Sequence, residues 1–167
     1  CTTREYLSLA EKVHKITRKY DIPLIIDDRV DVALAVGAEG VHVGQSDMPV
    51  HIARKLMGDD KIIGATTKTV PQAVEAYEQG ADYLGVGAVF KTDSKSDAED
   101  VSFETLKEIC SAVNIPVVAI GGINRDNVYK LKGSGICGIA VISAIFANKD
   151  IKEATKSLKE CTKEVLF

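Results

Sequence analysis

The residues most able to do chemistry stand at the ends of short apolar runs. Asp27 and Asp28 follow Leu24-Ile25-Ile26, and Asp47 closes Gly44-Gln45-Ser46-Asp47 directly after Val41-His42-Val43. Where such runs are neighbouring parallel strands, carboxylates at their carboxyl ends point toward one mouth. Two of them about 5 Å apart would repel by roughly 3 kcal/mol at an effective dielectric near 20. A bound cation removes that penalty, and hard oxygen donors select Mg²⁺ over zinc. The competing reading is helix N-capping, a common duty of Asp ahead of a helix. For Asp27 alone both readings stay open; for Asp28 and Asp47 with Gly44-Gln45, a ligand site is favoured.

A second constellation suits anions. "AIGGINRDN" sets Gly121-Gly122 between an apolar run and a helical one, and "AVISAIF" does the same with Ile142-Ser143. Backbone N–H groups at such turns bind phosphate, because glycine permits close approach and helix N-termini favour negative charge. A plain tight turn is the alternative. Residues 90–100, "FKTDSKSDAED", form the longest polar stretch inside the pattern. Lys91, Thr92, Ser94 and Lys95 there could close over phosphates as a lid, although a solvated loop reads equally well in isolation. Thr66 and Thr67 end another apolar run and offer hydroxyls to the same mouth. His42 sits within a strand and reads as a satisfied core residue, while His14 and His51 fall on helices.

These residues must be positioned by alternating elements. Residues 4–20 read as a helix, with Tyr6, Leu9, Val13, Ile16 and Tyr20 at three- and four-residue steps and Thr2 with Glu5 as a capping box. Strands are predicted at 23–27, 40–44, 61–65, 83–87, 116–120 and 138–142. Helices are predicted at 29–36, 49–57, 70–79, 102–113, 125–133 and 151–165. Strands such as Pro116-Val117-Val118-Ala119-Ile120 are apolar throughout, as parallel strands covered on both faces are. "GAEGVHV", "GADYLGV" and "GICGIAV" echo one another, each ending a helix on glycine and starting a strand. Repeated βα units build a doubly wound sheet or a closed barrel. Six units preceded by a helix without its strand imply an α/β (β/α)8 TIM barrel with the first one or two βα units missing ahead of residue 1. The whole of 1–167 is expected to belong to that single barrel domain.

Bulk properties narrow the function classes. The 167 residues carry 21 basic against 24 acidic side chains, a net charge of −3 without a basic block, which gives nucleic acid no electrostatic foothold. The four cysteines are scattered, so reduced thiols are expected rather than a disulfide framework or zinc site. No apolar run approaches membrane-spanning length and no signal peptide opens the chain, which predicts a soluble cytoplasmic protein without a membrane partner.

Taken together, "PLIIDDRVDVALAVGAEGVHVGQSDMP", "KIIGATTKT", "GADYLGVGAVFKTDSK", "PVVAIGGI" and "GIAVISAIF" resemble the thiamine-phosphate synthase family in order and spacing, from about residue 4 to 155. The resemblance implies a transferase of thiamine biosynthesis built on a (β/α)8 barrel. It would join 4-amino-5-hydroxymethyl-2-methylpyrimidine diphosphate to 4-methyl-5-(2-hydroxyethyl)thiazole phosphate and release pyrophosphate. It also implies roles. Asp28 and Asp47 would ligate Mg²⁺; Asp27, Thr66 and Lys95 would contact the pyrimidine diphosphate; and Thr92, Asp93, Ser94, Gly122, Ile142 and Ser143 would hold the thiazole phosphate. This chain departs from the family pattern with Asp27 at a usual Asn, Thr66 at a Ser, and Ala88 and Lys91 where prolines are common. The family's basic diphosphate-gripping segment has no counterpart and is expected upstream. Two other readings are a thiazole tautomerase-like relative and a non-catalytic barrel that binds phosphorylated ligands. Small phosphorylated molecules are the expected partners, with a homo-oligomer left open.

Overall fold

The computed structural model describes residues 2–91 and 101–166. Along the chain come α1 (Thr3–Lys19), β1 (Ile25–Asp27), α2 (Val30–Val36), β2 (Gly40–Val43), α3 (Val50–Met57), β3 (Ile62–Thr67) and α4 (Val70–Glu78). After these come β4 (Tyr83–Val86), α5 (Phe103–Ala112), β5 (Val117–Ile120), a 3-10 turn (Val128–Leu131), β6 (Gly138–Ala140), α6 (Ser143–Phe146) and α7 (Ile151–Leu166). The strands pair in parallel, so the chain is α/β with six βα-type strands, as its apolar runs predict. It divides into two compact units, Cys1–Thr66 with Ala76–Asp82, and Thr67–Glu75 with Tyr83–Phe167.

In the first unit β1 pairs with β2 and β2 with β3. Val41, Ile63 and Ala33 are fully buried and form the centre of its core. Gly37 ends α2 at φ 67, a left-handed turn that glycine enters without the Cβ penalty, and β2 starts three residues later. The capping box at α1 is present, with Glu5 N donating to Thr2 Oγ1 at 3.3 Å and Thr2 N to Glu5 Oε2 at 2.7 Å. The apolar stripe expected to bury α1 is rotated from its predicted place. Leu9, Ile16 and Tyr20 are exposed, while Ala10 and His14 are buried. The reason is polar: His14 Nδ1 lies 3.1 Å from Val36 O and Nε2 3.0 Å from Glu39 Oε1, so this ring lies against the α2–β2 turn.

In the second unit β4 pairs with β5 and β5 with β6. Leu84 and Val86 of β4, Leu106 and Ile109 of α5 and Ala119 of β5 are fully buried. The helix predicted over 125–133 is only the short 3-10 turn. Asn127 explains the difference, because its Oδ1 accepts from Asn124 N at 2.8 Å and its Nδ2 donates to Gly122 O at 2.9 Å. Those side-chain bonds occupy backbone groups that a regular first turn would leave to capping. The four-residue α6 was not anticipated, being too short to show a helical period.

Among the described residues, no helix is long and apolar enough to cross a membrane. The described cysteines Cys110, Cys137 and Cys161 are free thiols. Burial, and then the neighbouring Cys137, push the Cys110 thiol up to about 11.

Candidate active site

The first unit positions four of the predicted residues. Asp27 is the last residue of β1, and its carbonyl accepts from Tyr6 Oη at 3.0 Å. Burial raises the Tyr6 phenol above its ordinary value, partly countered by that hydrogen bond. Asp28 follows in the left-handed region at φ 61, with its N–H donating to His42 O at 2.8 Å. Asp tolerates this conformation better than most residues, yet it still costs about 1 kcal/mol, a strain that clusters where direction matters. The N-cap residue of α2 is Arg29, whose side chain makes no capping hydrogen bond. Arg29 is instead engaged by Asp31, through Nε at 2.8 Å and Nη2 at 2.5 Å. Neither Asp27 nor Asp28 occupies the N-cap position of α2.

Asp47 likewise does not cap α3, whose preceding residue is Pro49 without a side-chain cap. Its Oδ2 accepts from Gly44 N at 2.8 Å and so closes the β2–α3 loop on itself. A carboxylate has two oxygens and about four lone-pair sites, so one bond from an N–H leaves acceptor capacity for a cation. Gln45 Nε2 reaches across to β3 and donates to Thr66 O at 2.7 Å.

Register decides which side chains share a face. Asp27 pairs with His42, and His42 with Gly64. Since strand side chains alternate, Asp27, His42, Gly64 and Thr66 lie on one face of this unit. Thr67 turns to the opposite side and is fully buried, with its hydroxyl unpartnered. His42 Nε2 lies 2.8 Å from Thr66 Oγ1, which makes His42 a neighbour of a predicted ligand residue rather than a plain core histidine. The sequence offered one clue, a polar ring inside an apolar strand, but the pairing register was needed to read it.

The second unit holds the predicted anion site. Gly121 and Gly122 both have positive φ, 97 and 64. A Cβ on Gly122 would lie 2.5 Å from Lys91 O and 2.6 Å from Phe90 O, so the turn is glycine because the backbone after β4 runs directly against it. Phe90 N donates to Gly121 O at 3.1 Å. Ile142 and Ser143 stand exposed at the start of α6. Thr92, Asp93, Ser94 and Lys95 lie outside the described residues. A mostly apolar cavity of about 380 Å³ is lined by Val89, Phe90, Val101, Phe103, Leu106 and Lys130 among others, and its described lining residues include none of the predicted site residues.

A hard divalent cation is compatible with this donor set. Among the described residues there is no group of three or more His, Cys, Asp or Glu side chains that could hold a metal. Mg²⁺ needs no such cage: it keeps several waters and takes one or two carboxylates plus phosphate oxygens. Asp28 follows β1 and Asp47 lies in the loop after β2, and these two strands pair.

Comparison with known proteins identifies the family. The family model described as "Thiamine monophosphate synthase" matches residues 1–145. The chain is 57% identical over 157 residues to thiamine-phosphate synthase of Clostridium tetani, covering 94% of this chain and 75% of that one. It is 51% identical over 156 residues to the thiamine-phosphate synthase of Methanobrevibacter smithii, covering 93% and 75% respectively. The solved thiamine phosphate pyrophosphorylase of Pyrococcus furiosus superposes with a TM-score of 0.92 at 45% identity, over 100% of this chain and 80% of that one. Acidic strand ends, a glycine turn packed against the chain after β4, and identity above half to a synthase over nearly the whole length lead to one conclusion: this chain belongs to the thiamine-phosphate synthase family.

Proposed function

We infer that the protein is a thiamine-phosphate synthase, a transferase that joins an aminopyrimidine diphosphate to a thiazole phosphate and releases pyrophosphate. The observation that carries this is the 57% identity to a synthase across 94% of the chain. The six βα-type strands are read as part of a (β/α)8 barrel, supported by the similarity to the pyrophosphorylase.

The roles within the chain follow from chemistry. Asp28 and Asp47 would hold Mg²⁺, which when bound supplies positive charge for a diphosphate leaving group. Asp27 and Thr66 take the aminopyrimidine, and Lys95 adds a point charge at the diphosphate. Gly122, with Thr92, Asp93, Ser94, Ile142 and Ser143, receives the thiazole phosphate, whose charge suits exposed N–H groups and hydroxyls. The carbon–oxygen bond to the diphosphate breaks with both electrons leaving on pyrophosphate. The electron-rich aminopyrimidine spreads the resulting cation, and the thiazole nitrogen donates its lone pair to the methylene carbon. No proton transfer to a protein nucleophile is needed, so the residues act by binding, orientation and electrostatics.

The test is direct. The complete protein, given both substrates and Mg²⁺, should form thiamine phosphate and pyrophosphate in equal amounts, and EDTA should stop it. Binding of thiazole phosphate by calorimetry without any product would replace this reading with a non-catalytic binder.

A further inference from the structure

We propose that His42 is a positioning residue that aims the Thr66 hydroxyl, so that the two act on the aminopyrimidine as one unit. The proposal rests on the reading of Thr66 as an aminopyrimidine contact. It starts from register: Asp27, His42 and Gly64 are level across β1, β2 and β3. Gly64 has no side chain, so the imidazole can extend along β3 to the next residue on that face. That residue is Thr66, 2.8 Å from His42 Nε2. Gln45 Nε2 holds the Thr66 carbonyl at 2.7 Å, so the backbone beneath the hydroxyl is tied as well.

A threonine hydroxyl has one proton to donate and two lone pairs to accept with, and it rotates to suit its surroundings. A neighbouring imidazole nitrogen removes that freedom. With a proton on Nε2, His42 donates and the Thr66 proton stays available for a ring nitrogen of the pyrimidine. With Nε2 bare, Thr66 donates to His42 and offers its lone pairs to the exocyclic amine. An aminopyrimidine presents both an acceptor and a donor on adjacent atoms, so an unaimed hydroxyl would recognise it loosely. The imidazole thus sets the polarity Thr66 shows, without itself needing to touch the reacting atoms.

Steady-state kinetics of the complete protein with each substrate varied in turn test this. His42→Phe and Thr66→Val should each raise KM for the pyrimidine diphosphate by roughly three- to tenfold, the range of one neutral hydrogen bond, with KM for thiazole phosphate unchanged. The double variant should be no worse than Thr66→Val alone, and His42→Gln, which restores a polar nitrogen, should recover most of the loss. Additive single effects, or equal shifts in both KM values, overturn the proposal. If Thr66→Val leaves the pyrimidine KM unchanged, the reading of Thr66 fails; if Thr66→Val raises it and His42→Phe does not, only the positioning role fails. An arm independent of turnover is the ¹⁵N chemical shift of His42 Nε2, which should move in Thr66→Val; an unmoved shift rules out the pairing.

Discussion

Asp47 Oδ2 accepts a hydrogen bond from Gly44 N at 2.8 Å, three residues back along the same loop. The same carboxylate is thus a loop clasp and a proposed cation ligand. Two substitutions separate these duties. Asp47→Asn keeps an amide oxygen for Gly44 N but loses the charge, so it should retain the melting temperature of the parent while losing Mg²⁺-dependent pyrophosphate release. Asp47→Ala should lose both, the structural part costing about 1 kcal/mol. Thiazole-phosphate binding by calorimetry should survive in each; its loss in Asp47→Asn would contradict the division of roles.

Gly122 carries a second prediction. Its φ of 64 and the Phe90 and Lys91 carbonyls in the direction of a Cβ leave no room for alanine. Gly122→Ala should destabilise by about 1–3 kcal/mol, from strain and overpacking together. Urea denaturation measures the loss, and affinity for thiazole phosphate should fall in parallel because the turn must shift. A variant of unchanged midpoint would show that the turn yields freely.

The guanidinium of Arg54 is a structural hub of the first unit. It donates to Gly80 O at 2.8 Å, to Lys61 O at 2.6 Å, to Gly58 O at 3.0 Å and to Asp82 Oδ2 at 2.5 Å. Asp82 Oδ2 also accepts from Ile63 N at 2.7 Å, so the pair ties the end of α3 to β3. Arg54→Met keeps the aliphatic packing but strands several acceptors, and should cost about 3 kcal/mol in urea-midpoint measurements. Arg54→Lys should recover little, since an ammonium cannot reproduce the fork.

Glu39 predicts a pH dependence. Its carboxylate accepts from Leu24 N at 2.8 Å and lies 3.0 Å from His14 Nε2. Burial works to raise its pKa, but the His14 and Leu24 hydrogen bonds outweigh burial and hold it below the ordinary 4.5. A folded-state pKa below the unfolded one means stability that is present above about pH 4.5 and lost as pH falls through the folded value. Wild type should therefore melt above Glu39→Gln at neutral pH, with the gap closing in acid. A gap that is constant from neutral pH to pH 3 would refute this.

Much of the architecture was legible in the residues alone. Apolar runs marked all six strands, the Thr2–Glu5 box marked the start of α1, and carboxylates after the first two strands marked candidate site residues. Each of these is written within about ten residues, because helix and strand periods, caps and turns are local properties of the chain. The faces were a different matter. Nothing local says that Asp27, His42, Gly64 and Thr66 line up, because that depends on how separate strands slide past one another until their apolar sides are buried together. The same holds for α1, where His14 seeks the α2–β2 turn and leaves Leu9, Ile16 and Tyr20 outside. It holds for Gly122 too, whose need for glycine comes from the backbone of Phe90 and Lys91 pressed against it, a contact between segments distant in sequence.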